Sequence, residues 1–88
     1  MLDLQKQEEI MRKKLAYYDE VISERPEGYG RFKRAIAIPR INRAIRKISD
    51  GTYGDCDDCG NRIPEERLKL IPAALLCVSC QRILESKQ

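Results

Sequence analysis

Apolar positions in the first quarter of the chain fall on one face of a helix. Leu4, Met11, Leu15, Tyr18 and Ile22 recur at spacings of 7, 4, 3 and 4, a helical stripe rather than the alternation of a strand. The charged residues Glu8, Arg12, Lys13 and Lys14 lie off that stripe. The pattern predicts a helix over 2–24. The segment Arg25-Pro-Glu-Gly-Tyr-Gly30 ends it, because Pro26 disfavours helical geometry at Arg25 and the glycines permit turns. A second stripe follows within 31–49, where Ile38, Ile41, Ile45 and Ile48 are spaced 3, 4 and 3. Pro39 lacks a backbone donor and crowds the preceding turn, so it marks either a kink or the true start of this helix. Asp50-Gly51 closes the helix, with glycine where a left-handed cap is needed. Residues 1–50 therefore read as a coiled-coil-like helical hairpin with its turn near 25–30.

The periodicity then breaks, and cysteines replace it as the organising feature. Cys56 and Cys59 form one C-x2-C pair, seventeen residues follow, and Cys77 and Cys80 form another. Two such pairs complete a tetrahedron of thiolates around one Zn2+, and the spacer is of the length found in paired zinc sites. Gly60 suits a tight knuckle after the second sulfur, and a short helix over 78–86 would turn its first amides towards the second pair. Two disulfides, a dithiol redox pair and an iron–sulfur cluster are the competing uses of these thiols. The first needs an oxidising compartment, the second leaves one pair idle and lacks its βαβ setting, and the third shares the ligand type. Four protein thiolates fill a tetrahedral zinc and leave no position for water or substrate, so the expected metal is single and structural. Asp55, Asp57 and Asp58 read as solvated loop charges. Between the pairs, Pro64 opens a helical turn with acids at its start, and Leu68, Leu70, Ile71, Leu75 and Leu76 supply a small core. The finger and its terminal helix occupy 51–88.

Composition narrows the chemistry further. The 88 residues make one small domain, 42% hydrophobic and 35% charged, with five aromatic side chains. A chain this size buries a modest core and commonly needs a metal, a disulfide or a partner chain as a staple. There is no histidine, which removes histidine-based triads, bases and metal ligands, and the chain reads as a non-enzyme. Net charge is +3, concentrated in the first half. Arg31, Lys33, Arg34, Arg40, Arg43, Arg46 and Lys47 span 31–47 without one acid. Of these, Arg40, Arg43, Arg46 and Lys47 are the candidate partner contacts, set against the alternative of a solvated face that also suits the helix C-terminus. Met1 to Ile10 lacks the apolar core of a secretory signal, and no apolar run approaches a membrane span, so a reducing cytoplasm is expected.

The ordered motif Gly54-Asp-Cys56-Asp-Asp-Cys59-Gly, then Ile63, Arg67-Leu68, Pro72, Leu76-Cys77 and Cys80, resembles the C4 zinc finger of the DksA/TraR family. The preceding Ile41-Asn-Arg-Ala-Ile-Arg-Lys-Ile48 resembles that family's approach to its finger, and the likeness runs over about 40–82. It implies a bacterial transcription regulator in which a finger sits beside a helical coiled coil. Such a regulator binds RNA polymerase directly, in the secondary channel, rather than a DNA operator. It would act by favouring one polymerase state over another. The acidic D-x-x-D-x-A motif of better-known members is absent from both Glu24–Arg31 and Met1–Ile10, and the hairpin is short. The acidic tip and ppGpp regulation are therefore not carried over. The alternatives are a zinc-dependent nucleic-acid-binding module using the basic helix 40–47, and a helical dimerisation or interaction module.

Overall fold

The computed structural model describes residues 2–24 and 33–86. The turn expected near 25–30, where the acidic motif was sought, lies outside the described residues. Helix α1 runs Leu4–Glu24 and helix α2 runs Ile38–Asp50. A π-helical turn, Lys33–Ala37, leads directly into α2. Helix α3, Glu65–Leu70, and helix α4, Val78–Ser86, follow. The described residues contain no strand, only one antiparallel bridge between Asp55 and Arg62. The architecture is small and mostly helical.

Pro39 is neither a simple kink nor a simple start. It lies in the first turn of α2, yet Ala37 before it is already helical at φ −69° and ψ −46°. Proline cannot donate to the carbonyl four residues back and its ring crowds that turn. The wider π turn takes up both defects, so the helical arm continues through the proline. At the other end Gly51 adopts φ +80°, and its N–H donates to Ile48 O, as a left-handed cap requires.

Helix α1 packs on both α2 and the π turn. Met11 and Tyr18 are buried, with Leu15 partly so, against Ile41 and Ala44. Leu4 departs from the expected stripe and stays exposed, whereas Gln7 is buried. The substitution has a physical reason. The Gln7 side-chain amide donates to Leu68 O at 2.8 Å and to the Tyr53 hydroxyl at 3.0 Å, and Tyr53 in turn donates to Pro72 O at 2.7 Å. Among the described residues no buried side-chain polar atom lacks a partner, so the burial of Gln7 leaves no desolvation penalty unmet. Burial also pushes the Tyr53 phenol above its ordinary range, which keeps its proton available to Pro72. This network ties the start of α1 to the cysteine-bearing segment, whose own core is Tyr53, Ile63, Leu68 and Ala74.

Candidate metal centre

The chain leaves α2 through a loop held by one residue. Lys47 O accepts the N–H groups of both Thr52 and Tyr53, at 2.9 and 3.0 Å. Cys56 N then donates to Asn61 O and Ile63 N to Gly54 O, forming a small hairpin. Gly60 N donates back to Cys56 O at 3.0 Å and closes the expected knuckle. Across the loop, Asp57 N reaches Leu75 O at 2.8 Å, which brings the segment before Cys77 alongside.

Gly54 sits in the left-handed region that favours glycine. Its φ is +92°, and a Cβ would lie 2.7 Å from the Arg62 guanidinium, which donates to Tyr53 O at 2.9 Å. Gly54→Ala should lower stability by about 1–3 kcal/mol, from left-handed strain and the displaced arginine. Gly51→Ala meets open space and should lose only about 1 kcal/mol. Denaturant midpoints of the two variants measure the difference, and equal losses would mean that Arg62 simply moves aside.

The fold brings together all four expected ligands. The sulfur atoms of Cys56, Cys59, Cys77 and Cys80 all lie within 4.8 Å of one another, and Cys59 and Cys77 are 3.8 Å apart. A tetrahedral ion with bonds of about 2.3 Å places its sulfurs about 3.8 Å apart, so the residues present fit one zinc. A multi-iron cluster would need the sulfurs spread around the width of several atoms. No disulfide joins any of the four cysteines.

Their protonation favours a cation as well. The Cys59 backbone N–H, helped by those of Cys77 and Asp58, holds Cys56 down at about 6 against desolvation. Cys59 is raised, because the Cys56 thiol, burial and Cys77 outweigh the lowering effect of its strongest bond, from Asn61 N–H. The Cys77 thiol, then burial and the remaining sulfurs, push Cys80 far up. One thiolate forms readily and the next resist accumulating charge. A divalent ion removes that resistance.

The four candidate cations are not equivalent. Lys47 is buried, and its ammonium donates to Asp55 O and to Asp57 Oδ1, the latter at 2.7 Å. Arg43 Nε meets the other carboxylate oxygen of Asp57 at 2.7 Å. Asp57 is therefore not a solvated loop charge. Arg43 and then Lys47 hold its carboxyl below the usual range. Arg40 and Arg46 remain exposed, with no ion pair among the described residues. Sequence reasoning missed Lys47 as an internal residue, although its position three residues after the buried Ala44 places it beside the inward face.

Leu68 is fully buried, and Leu75 and Leu76 are partly so. Leu70 and Ile71, also assigned to that core, are exposed instead. Helix α3 turns only one face inward, and Ile63, Tyr53 and Ala74 fill the space.

Residues 51–86 match the prokaryotic dksA/traR C4-type zinc finger. The chain is 44% identical over 48 residues to general stress protein 16O of Bacillus subtilis, covering 54% of this chain and 29% of that protein. It is 33% identical over 51 residues to the RNA polymerase-binding transcription factor DksA of Escherichia coli K12, covering 58% and 34%. The matched stretch is thus about a third of the length of these curated relatives. The structure of the RNA polymerase binding protein and transcriptional regulator Dks from Chlamydia trachomatis aligns over 99% of this chain and 94% of its own, with TM-score 0.79 and 26% identity. Transcription factor DksA2 of Pseudomonas aeruginosa aligns over 96% and 78% at TM-score 0.58 and 21% identity, a likeness of fold alone. No described helix is long and apolar enough to cross a membrane. Four converging thiols on a knuckle of this sequence, carried beside two packed helices, identify residues 51–86 as a C4-type zinc finger of the DksA/TraR family, set in a Dks-like fold.

Proposed function

We propose that this chain is a zinc-containing regulator of DksA type that binds bacterial RNA polymerase directly in the cytoplasm and modulates initiation from the secondary channel. The supporting observation is the alignment with Chlamydia Dks, which runs through both helices as well as the finger. In this reading Cys56, Cys59, Cys77 and Cys80 hold one structural zinc, which supplies a crosslink and no reaction. Residues 1–50 form the arm that enters the partner, and 51–88 form the base that orients it. Regulation follows from binding one polymerase state more tightly than another, which shifts a population.

The nucleic-acid reading loses ground on one geometric point. Lys47 and Arg43 are engaged by Asp57, which leaves Arg40 and Arg46 as free cations on this helix. Two phosphate contacts give weak binding with a shallow salt dependence.

The test is co-migration of the zinc-loaded chain with polymerase core at moderate salt. An equimolar complex, displaced by an established secondary-channel binder, is the expected result. Absence of a complex at micromolar concentrations would overturn the reading.

A further inference from the structure

An apolar groove of about 270 Å³ runs between α1, the π turn and the segment after α3. Met11, Tyr18 and Ile41 line it from the helices, and Ile36, Leu70 and Ile71 stand around it. Leu70 is 83% exposed, Ile71 46% and Ile36 45%. Aliphatic side chains so placed contribute little to the core that bypasses them.

The backbone beneath them is firmly held. Leu68 O is bonded by Gln7, Pro72 O by Tyr53, and Ile71 N donates to Arg67 O at 2.8 Å. The segment is thus fixed on both sides of Leu70 and Ile71, which cannot turn inward without breaking buried hydrogen bonds. Apolar anchors presented on an ordered backbone lose little entropy when covered, as a docking surface requires.

Charge decides what covers it. Among the described residues, Lys14 and Arg40 line the groove, no acidic residue does, and neither cation has an ion pair. We propose that this groove docks an acidic amphipathic helix of a protein partner, its apolar residues on Leu70, Ile71 and Ile36 and its carboxylates on Lys14 and Arg40. A helix is favoured over an extended peptide because the described residues offer no strand edge to extend. A second copy of this chain is the poorer occupant. Of the acids on its own α1, Glu8 and Glu9 are already paired with Arg12 and Lys13, while Asp19, Glu20 and Glu24 cluster at one end of the helix rather than along it. The proposal goes beyond the polymerase reading and stands or falls without it.

The experiment is an amide-shift NMR titration of the zinc-loaded full chain with a synthetic helix. The probe carries Leu at i, i+3, i+4 and i+7 and Glu elsewhere; a control carries Lys in place of Glu. Shifts should concentrate at 36–41 and 70–73 and weaken with salt. Leu70→Ser and Arg40→Glu should each reduce affinity about tenfold. Both positions are exposed, so unchanged unfolding midpoints verify that the fold persists. Equal binding of the Lys probe, shifts centred elsewhere, or no loss in either variant would overturn the proposal. Shifts at the groove that grow with chain concentration alone would also overturn it, by assigning the surface to a second copy.

Discussion

Removal of the metal should unfold residues 51–86. Ordering a segment of that length carries a large backbone entropy cost. Against this the segment buries few large side chains, chiefly Tyr53, Ile63 and Leu68. A structural zinc held by thiolates contributes on the order of 10–16 kcal/mol, enough to decide the balance. The helices should respond unequally. The upper part of α1 and α2 keep their mutual contacts at Met11, Tyr18, Ile41 and Ala44, whereas the first turns of α1 lose the anchors that Gln7 finds at Tyr53 and Leu68. Chelation followed by amide-resolved NMR would show collapsed dispersion over 51–86 and fraying of α1 near Gln7. A native-like spectrum after complete removal would contradict the assignment.

Cys59→Ser isolates the metal term, because Cys59 is exposed and its sulfur fills no core. Zinc affinity should fall by more than the roughly 10–100-fold typical of losing an outer hydrogen-bond partner. Acid should act through the same centre. Metal binding displaces protons from the thiols, so affinity falls as pH falls. Asp57, whose carboxyl is held low, contributes stability above the unfolded carboxylate range and loses it only as pH drops through its lowered value. Zinc release should therefore come first and take the Asp57 pairs with it, at a pH above the one that would protonate Asp57 in the intact fold. A metal-sensitive dye and far-UV circular dichroism recorded together on acidification should show one shared transition.

The second large effect is expected at Lys47. Its ammonium, 7% exposed, ties α2 to the loop bearing Cys56 through Asp55 O and Asp57. Lys47→Met keeps the aliphatic stem but leaves those acceptors without their cation. The cost should be about 2–4 kcal/mol, within the range for breaking a largely buried pair and discounted for the Arg43 contact that Asp57 retains. Arg46→Met, on the exposed face of the same helix, should change stability by less than about 0.5 kcal/mol. Denaturant unfolding of the zinc-loaded variants measures both. Zinc retention in Lys47→Met should weaken together with stability, because the same side chain positions the knuckle. Equal midpoints for the two variants would show that Asp57 is held well enough by Arg43 alone.

Much of this arrangement was legible from residue order. Helical spacing of Met11, Leu15, Tyr18 and of the isoleucines is a local property, and both helices formed where it predicted them. The four cysteines announced their convergence through two short C-x2-C spacings, because each pair need only bend its own backbone. Gly51 marked the end of α2 for an equally local reason, the positive φ of a cap.

What escaped the sequence depended on neighbours distant along the chain. Gln7 and Lys47 look like surface residues, and only the packing of α1 and α2 on the finger supplies the carbonyls and carboxylate that make their burial tolerable. Leu70 and Ile71 look like core, yet the single inward face of α3 leaves them outside. The basic run looked uniform until Asp57 reached across from the knuckle and took two of its members. Periodicity and ligand spacing are set by covalent geometry, so the chain alone determined its helices and its cluster of thiols. Burial of a polar group depends on whether a partner lies within hydrogen-bond reach, and that was decided only when the helices met the finger.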